Sequence, residues 1–171
     1  MNTPLKIVVT GPVGAGKSTL IRTLAKGGYV DTDARATEAI GKATTTVAMD
    51  HAVMDVGGTT LHVFGTPGQE RFDYMWEILA EGALGTVLLA RADRPGDLPK
   101  ARQIFEFILS QSEVPYVIGV THLDAEEAWA PEEIALFLRA DPTLAVGFDP
   151  RDPKDAIRPF VRLLDALDGK R

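Results

Sequence analysis

One eight-residue stretch constrains this chain more than any other. Gly11-Pro12-Val13-Gly14-Ala15-Gly16-Lys17-Ser18 follows a short apolar run, residues 5–10, and precedes a segment in which Leu20, Ile21 and Leu24 recur at helical spacing. The stretch satisfies G-x-x-x-x-G-K-[ST], and the strand-to-helix setting gives that pattern its meaning. Its glycines let successive backbone N–H groups turn inward onto phosphate oxygens, and the start of a helix adds positive potential. Lys17 reaches the outer phosphates of a polyphosphate, and the Ser18 hydroxyl is a ligand for Mg²⁺. A chain with this loop is expected to begin as strand, phosphate loop and helix.

The rest of the chain repeats the alternation. Apolar runs of strand length fall at residues 5–10, 60–64, 86–90, 116–121 and 144–148. Helical spacing separates most of them: residues 18–26, then Leu98, Ala101, Ile104, Phe105, Ile108 and Leu109, then residues 134–138. This predicts a single α/β domain over residues 1–171, with a mainly parallel sheet and helices on both faces. One exception stands out. Residues 46–54 and 60–64 are separated only by Asp55-Val56-Gly57-Gly58, too short for a helix, so they read as an antiparallel hairpin. Asp152-Pro153 marks the start of a last helix, and Pro159 inside it predicts a late start or a bend. The connection over residues 27–45 is long and irregular, which in a compact domain points to function.

Composition narrows the classes. At 171 residues the chain is of single-domain size and large enough to bury a core without staples. The absence of cysteine excludes disulfides, Cys-ligated zinc and a thiol nucleophile. With 18 basic against 24 acidic residues the net charge is −6, so neither nucleic acid nor an anionic membrane is an expected partner. The first apolar run is too short to span a bilayer, there is no terminal Cys for lipid attachment, and Asn2 rather than Gly follows Met1. A cytoplasmic location without a membrane anchor is the expectation.

Three further stretches carry a family resemblance: Thr44-Thr45-Thr46-Val47-Ala48-Met49-Asp50, Phe64-Gly65-Thr66-Pro67-Gly68-Gln69-Glu70-Arg71-Phe72, and Thr121-His122-Leu123-Asp124. With the phosphate loop they resemble the Ras-like small GTPases over essentially the whole chain. More narrowly, they resemble the bacterial ones, akin to MglA, that work beside roadblock-domain proteins. The resemblance implies a P-loop NTPase fold of the Ras-like G domain, with a six-stranded sheet, five strands parallel and one antiparallel, among five helices. It implies a GTP/GDP switch that hydrolyses GTP with Mg²⁺ and is regulated by a separate roadblock (LC7) protein and an effector. The implied nucleotide site takes in Val13, Gly14, Ala15, Gly16, Lys17, Ser18, Thr19, Thr46, Gly68, Thr121, His122, Asp124, Asp149, Pro150 and Arg151. Ser18 and Thr46 match the metal ligands, with Thr45 and Thr44 close rivals to Thr46. Gln69 matches the residue that orients the attacking water, and Lys17 and Gly68 match those that hold the γ-phosphate.

The residue that names the base is Asp124. It stands just past the run 116–121, where open α/β sheets bind ligands. A carboxylate there accepts from guanine N1–H and the 2-amino group. Adenine lacks both donors, so a buried carboxylate would go unpaired and ATP would be rejected on the order of 10⁴-fold. The rival role for Asp124 is capping the next helix.

Four departures from the family pattern bear on function. Thr121-His122-Leu123-Asp124 replaces N-K-x-D: the threonine hydroxyl still ties this loop to the phosphate loop, and the imidazole carries less charge than a lysine. Gly65 stands where switch II has its Mg²⁺-holding aspartate, which leaves the ion to Ser18, Thr46 and the phosphates and predicts weaker retention. Val13 replaces a glycine and crowds the space near Gln69. Asp149-Pro150-Arg151 replaces the last base-contacting loop, and proline has no N–H for guanine O6, so either the Arg151 N–H substitutes or the contact is missing.

Arg35 is the internal candidate for an arginine finger, against a plain solvated charge, and Arg71 is placed for a partner. Phe72, Met75 and Trp76 read equally as core or as a partner surface. Two rivals to the switch are a small P-loop kinase, which would show an arginine-rich lid that this chain lacks, and a catalytically inactive nucleotide-binding module. The crowding at Val13 gives a direct test. Val13→Gly is expected to release phosphate faster than the parent chain in a single turnover, and an unchanged rate removes the argument.

Overall fold

A computed structural model describes residues 5–26, 50–66 and 80–169. The chain forms β1 (Leu5–Thr10), α1 (Lys17–Lys26), β2 (His51–Val56), β3 (Thr59–Gly65), β4 (Ala83–Arg91), α2 (Leu98–Gln111), β5 (Tyr116–Thr121), α3 (Pro131–Phe137), β6 (Ala145–Gly147), α4 (Pro153–Ala156) and α5 (Arg158–Asp168). The six strands make one sheet in the order β2-β3-β1-β4-β5-β6. Only β2 and β3 pair antiparallel; every other neighbouring pair is parallel. The α/β architecture with one antiparallel edge strand is therefore the one the alternation and the hairpin predict.

Both faces of the sheet are covered, which is why its strands read as continuous apolar runs. In β1, Ile7 and Val9 pack toward α1, α4 and α5 with Leu20, Ile21, Phe160 and Leu163. In β4, Leu88 and Ala90 pack on the opposite side with Leu98, Ala101 and Phe105 of α2 and Ile134 and Ala135 of α3. Val8 joins Phe64 and Ile108 in a smaller cluster. Successive residues of one strand thus serve separate cores.

Element bounds depart from the sequence reading for local reasons. In the hairpin, Asp55 and Val56 are paired with Thr60 and Thr59, so the turn shrinks to Gly57-Gly58. Both glycines have positive φ (59° and 84°), as a two-residue hairpin turn demands. The described part of β2 starts at His51, and residues 46–49 lie outside the described residues, as does the connection 27–45. β4 runs further back than residue 86, because Ala83 and Gly85 pair with Lys6 and Ile7. β6 is shorter than residues 144–148 because a 3-10 turn, Pro142–Leu144, capped by Asp141 through the Thr143 N–H, takes its start. The last helix is split. Asp152 caps α4 by accepting from the Lys154 N–H at 3.0 Å, and the chain re-enters a helix at Arg158 with Pro159 in the first turn.

Helix α5 is held by Phe160 and Leu163, both fully buried. Phe160→Ala is expected to lower unfolding free energy by about 3–5 kcal/mol in urea titration. Val161→Ala, on the exposed side of the same helix, should cost less than about 1 kcal/mol.

Candidate functional site

The site lies along one edge of the sheet, and strand direction explains why. β1, β3, β5 and β6 are parallel, so their carboxyl ends coincide, and the segments that leave them converge. These are the loop 11–16 after β1, Gly65 and Thr66 at the end of β3, His122 to Asp124 after β5, and Asp149 to Arg151 after β6. Together they line a cleft of about 770 Å³. Gly14, Gly16, Lys17, Ser18 and Thr19 line it from the phosphate loop and the start of α1. Val13, at 63% exposure, projects into solvent at the rim. Thr46, Gly68, Gln69, Arg35, Arg71, Phe72, Met75 and Trp76 lie outside the described residues.

The phosphate loop is held by close backbone approach. Gly11 has φ 148°, and a Cβ there would run into the Leu89 carbonyl of β4. Lys17 is buried and folds back over the loop, donating from Nζ to the carbonyls of Gly11 and, at 3.2 Å, Pro12. Burial pushes its pKa down to about 8, against a smaller opposing pull from Asp50. The lysine is thus a cation kept in a dehydrated cradle of carbonyls, ready to be satisfied by an anion.

Asp50 is the residue that the linear pattern does not assign. β2 runs against its neighbour, so its start, not its end, comes to the site edge. Ser18 Oγ donates to Asp50 Oδ2 at 2.7 Å, and the Asp50 carbonyl accepts from the Gly65 N–H at 2.9 Å. A Cβ on Gly65 would lie 3.4 Å from the Asp50 Cβ and 2.6 Å from Ile21 Cδ1. A carboxylate thus stands beside Ser18 from the far strand of the hairpin, next to the position where Gly65 has none. A hydroxyl and a carboxylate side by side are hard oxygen donors of the kind Mg²⁺ takes.

At the other end, Thr121 ties the two loops as its hydroxyl suggested. Thr121 Oγ1 donates to the Ala15 carbonyl at 2.8 Å. The His122 Nδ1 is hydrogen-bonded to the same oxygen at 2.8 Å. His122 sits at φ 59° on the cleft wall. Desolvation, aided by nearby Arg91, lowers its pKa, so the ring is neutral at neutral pH. Neither Ala15 nor Thr121 lines the cleft; both brace it.

Asp124 faces the cleft, but its side chain is 74% exposed rather than buried. The 10⁴-fold expectation is corrected accordingly: water satisfies this carboxylate when no base does, so discrimination rests on what a bound base covers. Arg151 lies 3.6 Å away through Nη2 and forks onto Asp149 through Nε at 2.9 Å and Nη2 at 3.0 Å. That fork holds the Asp149 carboxyl below the usual range. The Arg151 backbone N–H also donates to Asp149 Oδ1, at 2.9 Å, so this amide is not available to a ligand.

Arg91, at the end of β4, is a second residue the sequence reading missed. It forks onto Asp93 (2.8 Å twice) and donates from Nη1 to the Gly14 carbonyl at 3.3 Å, bracing the phosphate loop from below. Its partner across the parallel ladder is Thr121, so both braces share one rung.

Comparison with known proteins bears on fold and family. A family model described as a conserved hypothetical ATP binding protein matches residues 28–165, a span that starts beyond the phosphate loop. The uncharacterized protein MJ1339 of Methanocaldococcus jannaschii is 28% identical over 123 residues, covering 70% of this chain and 71% of that protein. The structure of the Arl6 small GTPase from Trypanosoma brucei with bound nucleotide analogue GppNp is similar with a TM-score of 0.74. That likeness covers 99% of this chain and all of the other at 16% identity, so a shared Ras-like fold is what it establishes.

The lysine cradle generates a pH prediction. Below about pH 8 Lys17 is already charged, and affinity for inorganic tripolyphosphate should be flat. Above it, each binding event must take up a proton, and affinity should fall by up to about tenfold per unit. Calorimetry from pH 7 to 9 checks this, with Lys17→Arg, which stays charged, as the reference for titration of the ligand.

Proposed function

The chain belongs to the family described as conserved hypothetical ATP binding proteins, and within it we propose that this chain is a guanine-nucleotide switch that hydrolyses GTP to GDP and phosphate. The observation that carries the choice of guanine is Asp124. A carboxylate only accepts, and at the end of the cleft remote from Lys17 it meets the N1–H and 2-amino donors of guanine, where adenine offers a bare N1 and no 2-amino group. The phosphates lie on the N–H groups of the loop 11–18 with Lys17 beside the outer ones. Ser18 and Asp50, with Thr46, would hold Mg²⁺, which when bound would neutralise phosphate charge. Gln69 orients water for attack on the γ-phosphorus, and Gly68 bonds the γ-phosphate through its N–H.

Loss of that phosphate releases the segments around Thr46 and Gly68, which makes the protein a switch read by an effector. The narrower likeness to the MglA-like proteins supports a roadblock-domain regulator, acting in the cytoplasm.

Mass spectrometry of the nucleotide retained on purification should find GDP or GTP, and adenine nucleotides there would overturn the assignment. In calorimetry, Asp124→Ala should weaken GDP binding at least tenfold, on the order of the loss of one charge-assisted hydrogen bond, and leave ADP unchanged. Asp50→Ala should shrink the gain in GDP affinity that added Mg²⁺ brings; a gain equal to that of the parent chain would remove Asp50 from the metal site.

A further inference from the structure

The segment after β6 has no backbone donor left for a ligand. The Asp149 N–H donates to Asp155 Oδ2 at 2.6 Å, Pro150 has none, and the Arg151 N–H is bonded to Asp149 Oδ1. What this wall does offer is the Arg151 guanidinium. The fork onto Asp149 uses the Nε–H and one Nη2–H, which leaves the second Nη2–H and both Nη1–H groups. The fork also fixes the plane of the group, so that Nη2 stands 3.6 Å from Asp124 Oδ2 at the cleft wall. An acceptor and a cationic donor are therefore held side by side, on two different loops, facing one cavity.

We propose that Arg151 is a specificity-determining residue whose guanidinium donates to the O6 of guanine while Asp124 accepts from N1–H and the 2-amino group. This deepens the guanine reading above and rests on it. Guanine presents donor and acceptor next to each other on one edge, the complement of this pair. Adenine presents an amino group at C6, which sets donor against donor at Arg151 as well as leaving Asp124 unmatched. The Asp124–Arg151 pair is loose and open to water, at 74% and 67% side-chain exposure, so a base displaces it at little cost. The Asp149 fork then keeps Arg151 in place. Lysine at this position would carry the charge but not the fork.

The test compares GDP, 6-thio-GDP and ADP, measured by calorimetry on the full chain with Mg²⁺. The thio analogue keeps N1–H and the 2-amino group but has a poor acceptor at position 6. The parent chain should prefer GDP to 6-thio-GDP by about tenfold. Arg151→Ala should bind the two alike, with ADP affinity no lower than in the parent. Arg151→Lys should recover only part of the preference. Three results overturn the proposal: equal GDP and 6-thio-GDP affinity in the parent, an undiminished preference in Arg151→Ala, or tighter GDP binding by Arg151→Ala, which would make the arginine a plug. If the parent binds ADP as tightly as GDP, the guanine assignment itself falls, an outcome distinct from those three.

Discussion

The site depends on a constraint of chain direction: strands joined by crossovers run parallel, so every loop leaving a carboxyl end is delivered to the same edge of the sheet. β1 contributes the phosphate loop, β3 Gly65 and Thr66, β5 the loop from His122 to Asp124 and β6 the segment 149–151. The one strand that runs backwards completes the set. Because β2 is antiparallel, the residue preceding it, Asp50, reaches that edge and meets Ser18. A single reversed strand thus brings a carboxylate to the side of the cleft where Gly65 has none.

The phosphate end and the base end are not independent pockets. Thr121 reaches the Ala15 carbonyl, and its neighbour across the ladder, Arg91, reaches the Gly14 carbonyl. Both therefore hold the phosphate loop from neighbouring strands of the sheet. At the other flank, the Thr66 N–H donates to the Val9 carbonyl at 2.9 Å, and Thr66 Oγ1 donates to Thr10 Oγ1 at 3.0 Å, which anchors the start of the segment that follows β3.

Charge placement follows the same division. Lys17 is the buried cation, desolvated and surrounded by carbonyls, whereas Arg91 and Arg151 are each clamped by an aspartate two residues away in sequence. The i, i+2 Asp–Arg forks set the guanidinium planes with local contacts, so the positioning costs little in tertiary packing.

The sequence by itself determined the strand–helix alternation, the hairpin, the phosphate loop and the break before Pro159, because these rest on local periodicity, turn chemistry and one contiguous motif. The resemblance of Thr121-His122-Leu123-Asp124 to N-K-x-D also implied that Thr121 ties its loop to the phosphate loop. Tertiary structure alone decided which residues from separate strands meet. Asp50 became a partner of Ser18 through strand reversal across 32 residues, Arg91 became a brace through its rung with Thr121, and Asp124 proved solvated because its loop stands clear of both cores. Sequence spacing carries local geometry, whereas burial and the pairing of distant side chains are properties of how strands are ordered in the sheet, which no window along the chain contains.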